Sequence, residues 1–104
     1  MARYDVFKNA AARAGSDTPF LLDVQADLLS HLRTRVVVPL RLASGIPRPA
    51  RVLQPRLAVA GVDVIMDTPG LVGAPVTALG ARVANLAEHG DSILGAIDFL
   101  LTGV

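Results

Sequence analysis

The sequence predicts a mostly β fold of the α+β class, on three observations. Short segments of alternating or β-branched apolar residues recur between residues 3 and 67, each bounded by glycine, proline or small polar residues. The apolar period then switches, near the end, to that of a helix. Six or seven short strands followed by one terminal helix is the α+β arrangement.

The elements follow in order. RYDVFKN (3–9) alternates, with Tyr4 and Val6 on one parity and Arg3, Asp5 and Phe7 on the other, so it reads as a strand. AAARAGSDTP (10–19) is small, polar and turn-forming, a mobile loop closed by Pro19. FLLDVQADLL (20–29) begins as a strand with Leu22, Val24 and Ala26 on one face. RTRVVVPLRLA (33–43) carries the clearest β signal. Pro39 has no N–H for a ladder bond, which puts that point at an edge or a bulge. SGIPRPARVLQP (44–55), with three prolines and a glycine, is a loop. RLAVAGVDVIMD (56–67) is a tight hairpin turning at Gly61. TPGLVGAP (68–75) is a turn-rich crossing, with a short strand expected at 75–79.

From Ile93, apolar residues fall at 93, 94, 97, 100, 101 and 104. At 100° per residue these span about 120° of arc, the width of a core-facing stripe. A helix over roughly 91–103 follows, with Asp91 or Ser92 as N-cap. Most of this tail is therefore expected in the core. It ends on an uncapped Gly-Val tip, with Gly95, Asp98, Phe99 and Thr102 off the stripe.

Composition sets the bounds. The 104 residues fit a single domain, 1–104, with no room for a second core. Hydrophobic residues make up 52% and charged residues 18%, an apolar excess that a homodimer interface would absorb. No cysteine is present, which excludes a disulfide scaffold and a thiolate metal site. Neither a signal-like apolar region at the start nor an 18-residue apolar run occurs, so the cytoplasm is the default location and no membrane is expected. The net charge of +1 hides a partition. Residues 31–60 carry Arg33, Arg35, Arg41, Arg48, Arg51 and Arg56 and no acid, whereas 61–104 carry five acids against Arg82. A basic middle attracts phosphate or an acidic peptide; alternatively, its arginines alternate along strands and point to water.

Catalytic signatures are sparse. No glycine-rich phosphate loop follows a strand, and His31 and His89 have no ligand partners at metal spacing, so no cofactor is expected. Ser16, Ser30, Ser44 and Ser92 sit in turns or caps. One enzymatic alternative stands: a small β-barrel that cleaves RNA without a metal, with His31, Arg33, Arg35 and Asp67 assembled at a dimer groove. The lack of aromatic stacking residues in the basic stretch weighs against it.

At FLLDVQADLL followed by RTRVVVPL the chain resembles the CcdB family of toxins from bacterial toxin–antitoxin modules, whose members share an F-x-x-D-V-Q-x-D-hydrophobic-hydrophobic block and a V-I-P-L-like strand. LQPRLAVAG, IMDTPGLVGAPVTALGARVANLAEH and DSILGAIDFLLTGV continue the likeness over almost the whole chain. The resemblance implies an SH3-like barrel of CcdB type: a five-stranded antiparallel sheet, a smaller sheet and one C-terminal helix. It also implies a non-enzymatic homodimer that binds the A subunit of DNA gyrase and traps the cleaved-DNA complex. A CcdA-like antitoxin with a disordered C-terminal segment neutralises it, and DNA is met only through the toxin–antitoxin complex.

By position, the family's gyrase-binding surface falls on Ala26, Leu28 and Leu29, and on Asp98, Leu101, Thr102, Gly103 and Val104. Ordinary core packing is the competing reading for one of the two leucines, and a helix C-cap for Gly103 and Val104. Thr102 stands where the family's poisoning members have Trp, a loss on the order of 3–5 kcal/mol unless another side chain such as Phe99 substitutes. Asp98 stands where a neutral amide is typical. Charge alone makes Arg48 and Arg51 the candidate antitoxin-binding residues. A CcdB-like antitoxin-binding protein without toxicity is the remaining reading.

Overall fold

The fold is described from a computed structural model, which describes residues 1–103. Seven strands form one antiparallel sheet: β1 (Asp5–Asn9), β2 (Phe20–Asp23), β3 (Thr34–Leu42), β4 (Arg56–Val59), β5 (Val62–Met66), β6 (Val72–Pro75) and β7 (Leu79–Asn85). Helix α1 (Gly90–Thr102) closes the chain. The strand order is β4-β5-β3-β2-β1-β7, with β6 also on β3.

The long strand β3 is where the sheet forks. Its first half pairs with β6, Thr34 opposite Pro75 and Val37 opposite Val72. Its last three residues pair with β5, Leu40 opposite Met66 and Leu42 opposite Val64. Pro39 stands between the two partners, where its missing N–H breaks no ladder bond. Its carbonyl still accepts the Asp67 N–H at 3.0 Å. The fork divides the sheet into the two parts expected: five strands, β6-β3-β2-β1-β7, and a smaller β3-β5-β4 part. The curled sheet and its helix make the α+β, CcdB-like half-barrel.

One face of the sheet holds the main core, with Val6, Leu22, Val38, Leu40 and Met66 packed beneath Ile93 and Ala96 of α1. The opposite face holds a smaller cluster of Leu21, Val37 and Ala74. All four residues of β2 are buried, and Phe20–Leu22 of β2 and Val36–Leu40 of β3 read as continuous apolar runs rather than alternations. Two-sided cover also explains Phe7, which breaks the parity of β1 and is buried all the same.

The β4–β5 hairpin turns at Ala60 and Gly61 with φ of +49° and +79°, the paired left-handed conformation of a two-residue turn. Downstream, the expected strand at 75–79 is displaced. Val72–Pro75 is already β6, Val76–Ala78 is a 3₁₀ turn, and β7 begins at Leu79. Strand β7 lies at the sheet's edge with an irregular register on β1, and most of its residues are half-buried or exposed, so it carries little alternation. Gly80 fits this irregularity because a Cβ there would lie 2.9 Å from the Lys8 carbonyl.

Helix α1 starts from a 3₁₀ turn, Ala87–His89, so neither Asp91 nor Ser92 is the N-cap; both lie in the first turn. Only its first half is core. Ile93 and Ala96 are buried and Ile97 packs against the cluster, whereas Phe99, Leu100 and Leu101 are 40, 37 and 73% exposed. Thirteen residues make a rod of about 20 Å, and its main supports, the turns Thr68–Gly70 and Ala87–His89, leave its far end uncovered. The expectation of a largely buried tail is corrected accordingly.

Asp5 ties the termini of the sheet together. Its buried carboxylate accepts the Arg82 Nε–H at 2.8 Å, the Asn85 amide at 3.0 Å and the Ala2 N–H at 2.8 Å. Burial alone would push this carboxyl up; the hydrogen bonds from Arg82, Asn85 and Ala2 overcome that and hold it below its ordinary 3.8. A carboxyl depressed in the folded state stabilises it above the unfolded value, and that contribution is lost as pH falls through the folded value. Urea midpoints are therefore expected to drop below about pH 4, and Asp5→Asn to be destabilised at neutral pH with a shallower acid loss. Parallel acid profiles for the two proteins would rule this out.

Candidate functional site

Strand β2 ends at Asp23, whose carboxylate Oδ1 accepts the Gln25 N–H at 3.0 Å and turns the chain out of the sheet. The backbone then forms a 3₁₀ turn, Asp27–Leu29, with Leu29 N–H bonded to the Ala26 carbonyl. Asp27 also accepts the Arg3 N–H at 2.7 Å, tying the turn to the N-terminal segment. This exit puts Ala26 in solvent rather than on the face of Leu22 and Val24. It also exposes both leucines, Leu28 by 88% and Leu29 by 43%, so neither is a core residue.

At the other end of the chain, Asp98, Leu101, Thr102 and Gly103 are all exposed. The tip is not bare, as expected from the sequence, but capped. Gly103 takes the left-handed conformation at φ +76° and donates its N–H to the Phe99 carbonyl at 2.9 Å. The Thr102 hydroxyl donates to the Asp98 carbonyl at 2.7 Å, satisfying a second terminal acceptor. Val104 lies outside the described residues. The turn and the tip are separate apolar patches on different elements, each held by local hydrogen bonds. Both hold residues that the resemblance placed by position, but it did not show that Phe99 and Leu100 are exposed as well as Leu101.

The basic stretch divides three ways. Arg35 is fully buried, its Nε–H bonded to Asp23 Oδ2 at 2.8 Å and its Nη2 2.6 Å from the same oxygen. Arg41 is half-buried and binds Asp17 at 2.7 Å; with the Thr18 hydroxyl it holds the Asp17 carboxyl below its ordinary range. Arg33, Arg48, Arg51 and Arg56 are exposed. Arg51 lines a cleft of about 260 Å³ with Val52 and Pro55 of the loop and Ser92 and Gly95 of α1. Gly95 leaves this cleft open, since nothing lies within 4 Å of where its Cβ would be. A second cleft of about 390 Å³ runs beneath the loop at 10–19, edged by Lys8 and Arg13; nothing in the sequence marked it.

Within one copy of the chain, the four residues of the ribonuclease reading are not brought together. Arg35 is enclosed with Asp23, and Asp67 is engaged by the Gln54 amide at 3.1 Å and by Arg41, while His31 and Arg33 stand in solvent. Among the described residues there is no group of three or more His, Cys, Asp or Glu that could hold a metal ion.

The family model described as CcdB protein matches residues 3–103, nearly the whole chain. The chain belongs to the CcdB family. Membership extends over β1 to the capped helix tip, so both apolar patches lie inside the matched region. It suggests a gyrase-targeting toxin of a toxin–antitoxin module rather than a catalyst. Among the described residues of this CcdB-family chain, no helix is long and apolar enough to cross a membrane.

Proposed function

We propose that this CcdB-family protein is the toxin of a toxin–antitoxin pair, acting in the cytoplasm as a homodimer that binds the A subunit of DNA gyrase and traps its cleaved-DNA complex. One observation carries the reading: the residues aligned with the family's gyrase surface, Leu28, Leu29 and Leu101, are among the large apolar side chains left in solvent. A small protein does not expose leucines on two ordered turns without cost, and such patches mark interaction sites. Ala26, Asp98, Thr102 and Gly103 frame them as exposed neighbours. Phe99, three residues before Thr102 and on the same side of the helix, supplies apolar area where Thr102 replaces an aromatic anchor. Around a twofold axis, two copies of these patches make one self-symmetric platform.

Arg48 and Arg51, exposed and without an ion-pair partner among the described residues, fit the acidic side chains of a disordered antitoxin segment laid along the adjoining cleft. Operator DNA is reached through that complex. Purified protein mixed with gyrase, ATP and supercoiled plasmid is expected to yield linear DNA on denaturing the protein. Antitoxin binding with no linear product would identify a non-toxic antitoxin-binding protein instead, and metal-independent RNA cleavage a ribonuclease.

A further inference from the structure

The buried polar cluster beneath the leucine-bearing turn is not explained by packing. Beyond the Asp23 and Val37 pair, strands β2 and β3 make one more backbone bond, from the Val24 N–H to the Val36 carbonyl, and then part. The Gln25 side chain spans the gap. Its Oε1 accepts the Val36 N–H at 3.0 Å and its Nε2 donates to the Leu29 carbonyl at 2.9 Å. The Gln25 N–H is itself held by Asp23, which is fixed by Arg35 from below. All three residues are buried, Gln25 at 7% exposure and the other two at 0%. A chain of buried and part-buried bonds thus runs from β3 to the carbonyl that closes the turn.

We infer that Gln25, braced by the pair of Asp23 and Arg35, is a positioning residue: it fixes the shape in which the turn presents Leu28 and Leu29. That this shape serves docking rests on the gyrase reading above; that Gln25 sets it does not. An apolar residue of similar length would fill the space and leave the part-buried Val36 N–H and one acceptor site of the Leu29 carbonyl without this partner. The turn's other bonds are the local ones from the Leu29, Ser30 and Leu32 N–H groups to the Ala26, Asp27 and Leu29 carbonyls, and one tether from the Arg3 N–H to the Asp27 carboxylate; among the described residues only Gln25 ties the turn to β3.

The test compares backbone 15N order parameters in Gln25→Met and the parent protein. Residues 27–30 are expected to fall from rigid values of about 0.85 to below about 0.6, with β1, β4 and β5 unchanged. Unchanged order in the turn, or a loss shared by the whole sheet, overturns the inference. If Gln25→Met does not fold, Gln25→Glu keeps the acceptor for Val36, loses the donor to Leu29, and is held to the same standard. Affinity for the gyrase A subunit is measured beside Leu28→Ser. A mobile turn with affinity lowered in both variants supports positioning for docking. A mobile turn with only Leu28→Ser weakened overturns that role for Gln25. If Leu28→Ser binds normally, the gyrase reading of the turn fails, while a mobile turn in Gln25→Met still upholds Gln25 as what shapes it.

Discussion

Replacing Arg35 by methionine is expected to destabilise the protein by about 3–5 kcal/mol. The side chain is fully buried, as is Asp23, so the substitution strands a carboxylate in the interior without its counter-charge. Oxygen Oδ1 would keep the Gln25 N–H, but Oδ2 receives both the Nε–H bond and the Nη2 contact and would lose both. A domain of this size has only about 5–15 kcal/mol in total, so Arg35→Met is expected to lie near the edge of folding at 25 °C.

The pair itself is a different matter from its breakage. Arg35 meets a single carboxylate oxygen, and its Nη1 and Nη2 groups make no hydrogen bond among the described residues. Desolvating two charges for such an end-on contact recovers little net energy. The double variant Asp23→Asn with Arg35→Met keeps an acceptor for the Gln25 N–H and carries no buried charge. It is expected to be less destabilised than Arg35→Met alone, a coupling visible in a double-mutant cycle of urea midpoints. Additive effects, or a loss below about 1 kcal/mol for Arg35→Met, would show that the charges are relieved in some other way.

The buried pair also marks where the sequence was hard to read. A valine run or a two-residue hairpin announces itself through side-chain type, and β3 and the β4–β5 turn were legible for that reason. An arginine that follows Arg33 and Thr34 in RTRVVV looks like a solvent-facing strand residue; burial became possible only because Asp23, twelve positions earlier, faces it across the sheet. Long-range pairing of this kind has no local signature. Strand β7 was missed for the opposite reason: an edge strand with Gly80 and small residues lacks the alternation that burial imposes. The helix was read in the right place and phase. Its stripe, however, says which side is apolar and not where the supporting surface stops, so the exposure of Leu100 and Leu101 was invisible. At the candidate site, the resemblance supplied positions, whereas the capped tip and the Gln25 bridge required coordinates.

Leu28→Ser and Leu101→Ser are each expected to weaken binding to the gyrase A subunit by about 30-fold or more, while folding stability shifts by no more than about 0.5 kcal/mol. The two residues are 88 and 73% exposed, so serine removes few contacts within the protein. Burying a leucine side chain from water contributes about 1.5–3 kcal/mol, and a leucine seated in a partner's pocket falls in the range of interface anchors. In a twofold dimer each substitution appears on both halves of the platform, so a target touching both copies feels it twice. Arg48→Glu with Arg51→Glu is the control: it should leave gyrase affinity intact while lowering antitoxin affinity and flattening its salt dependence. The Leu22→Ser variant marks the other limit, since that leucine is fully buried and its loss is expected to unfold the chain rather than blunt it. A change of less than about three-fold at both Leu28 and Leu101 would mean that neither patch meets gyrase. The apolar end of α1 would then be surface that a second copy of this chain covers by itself, and the target would have to be sought on another face.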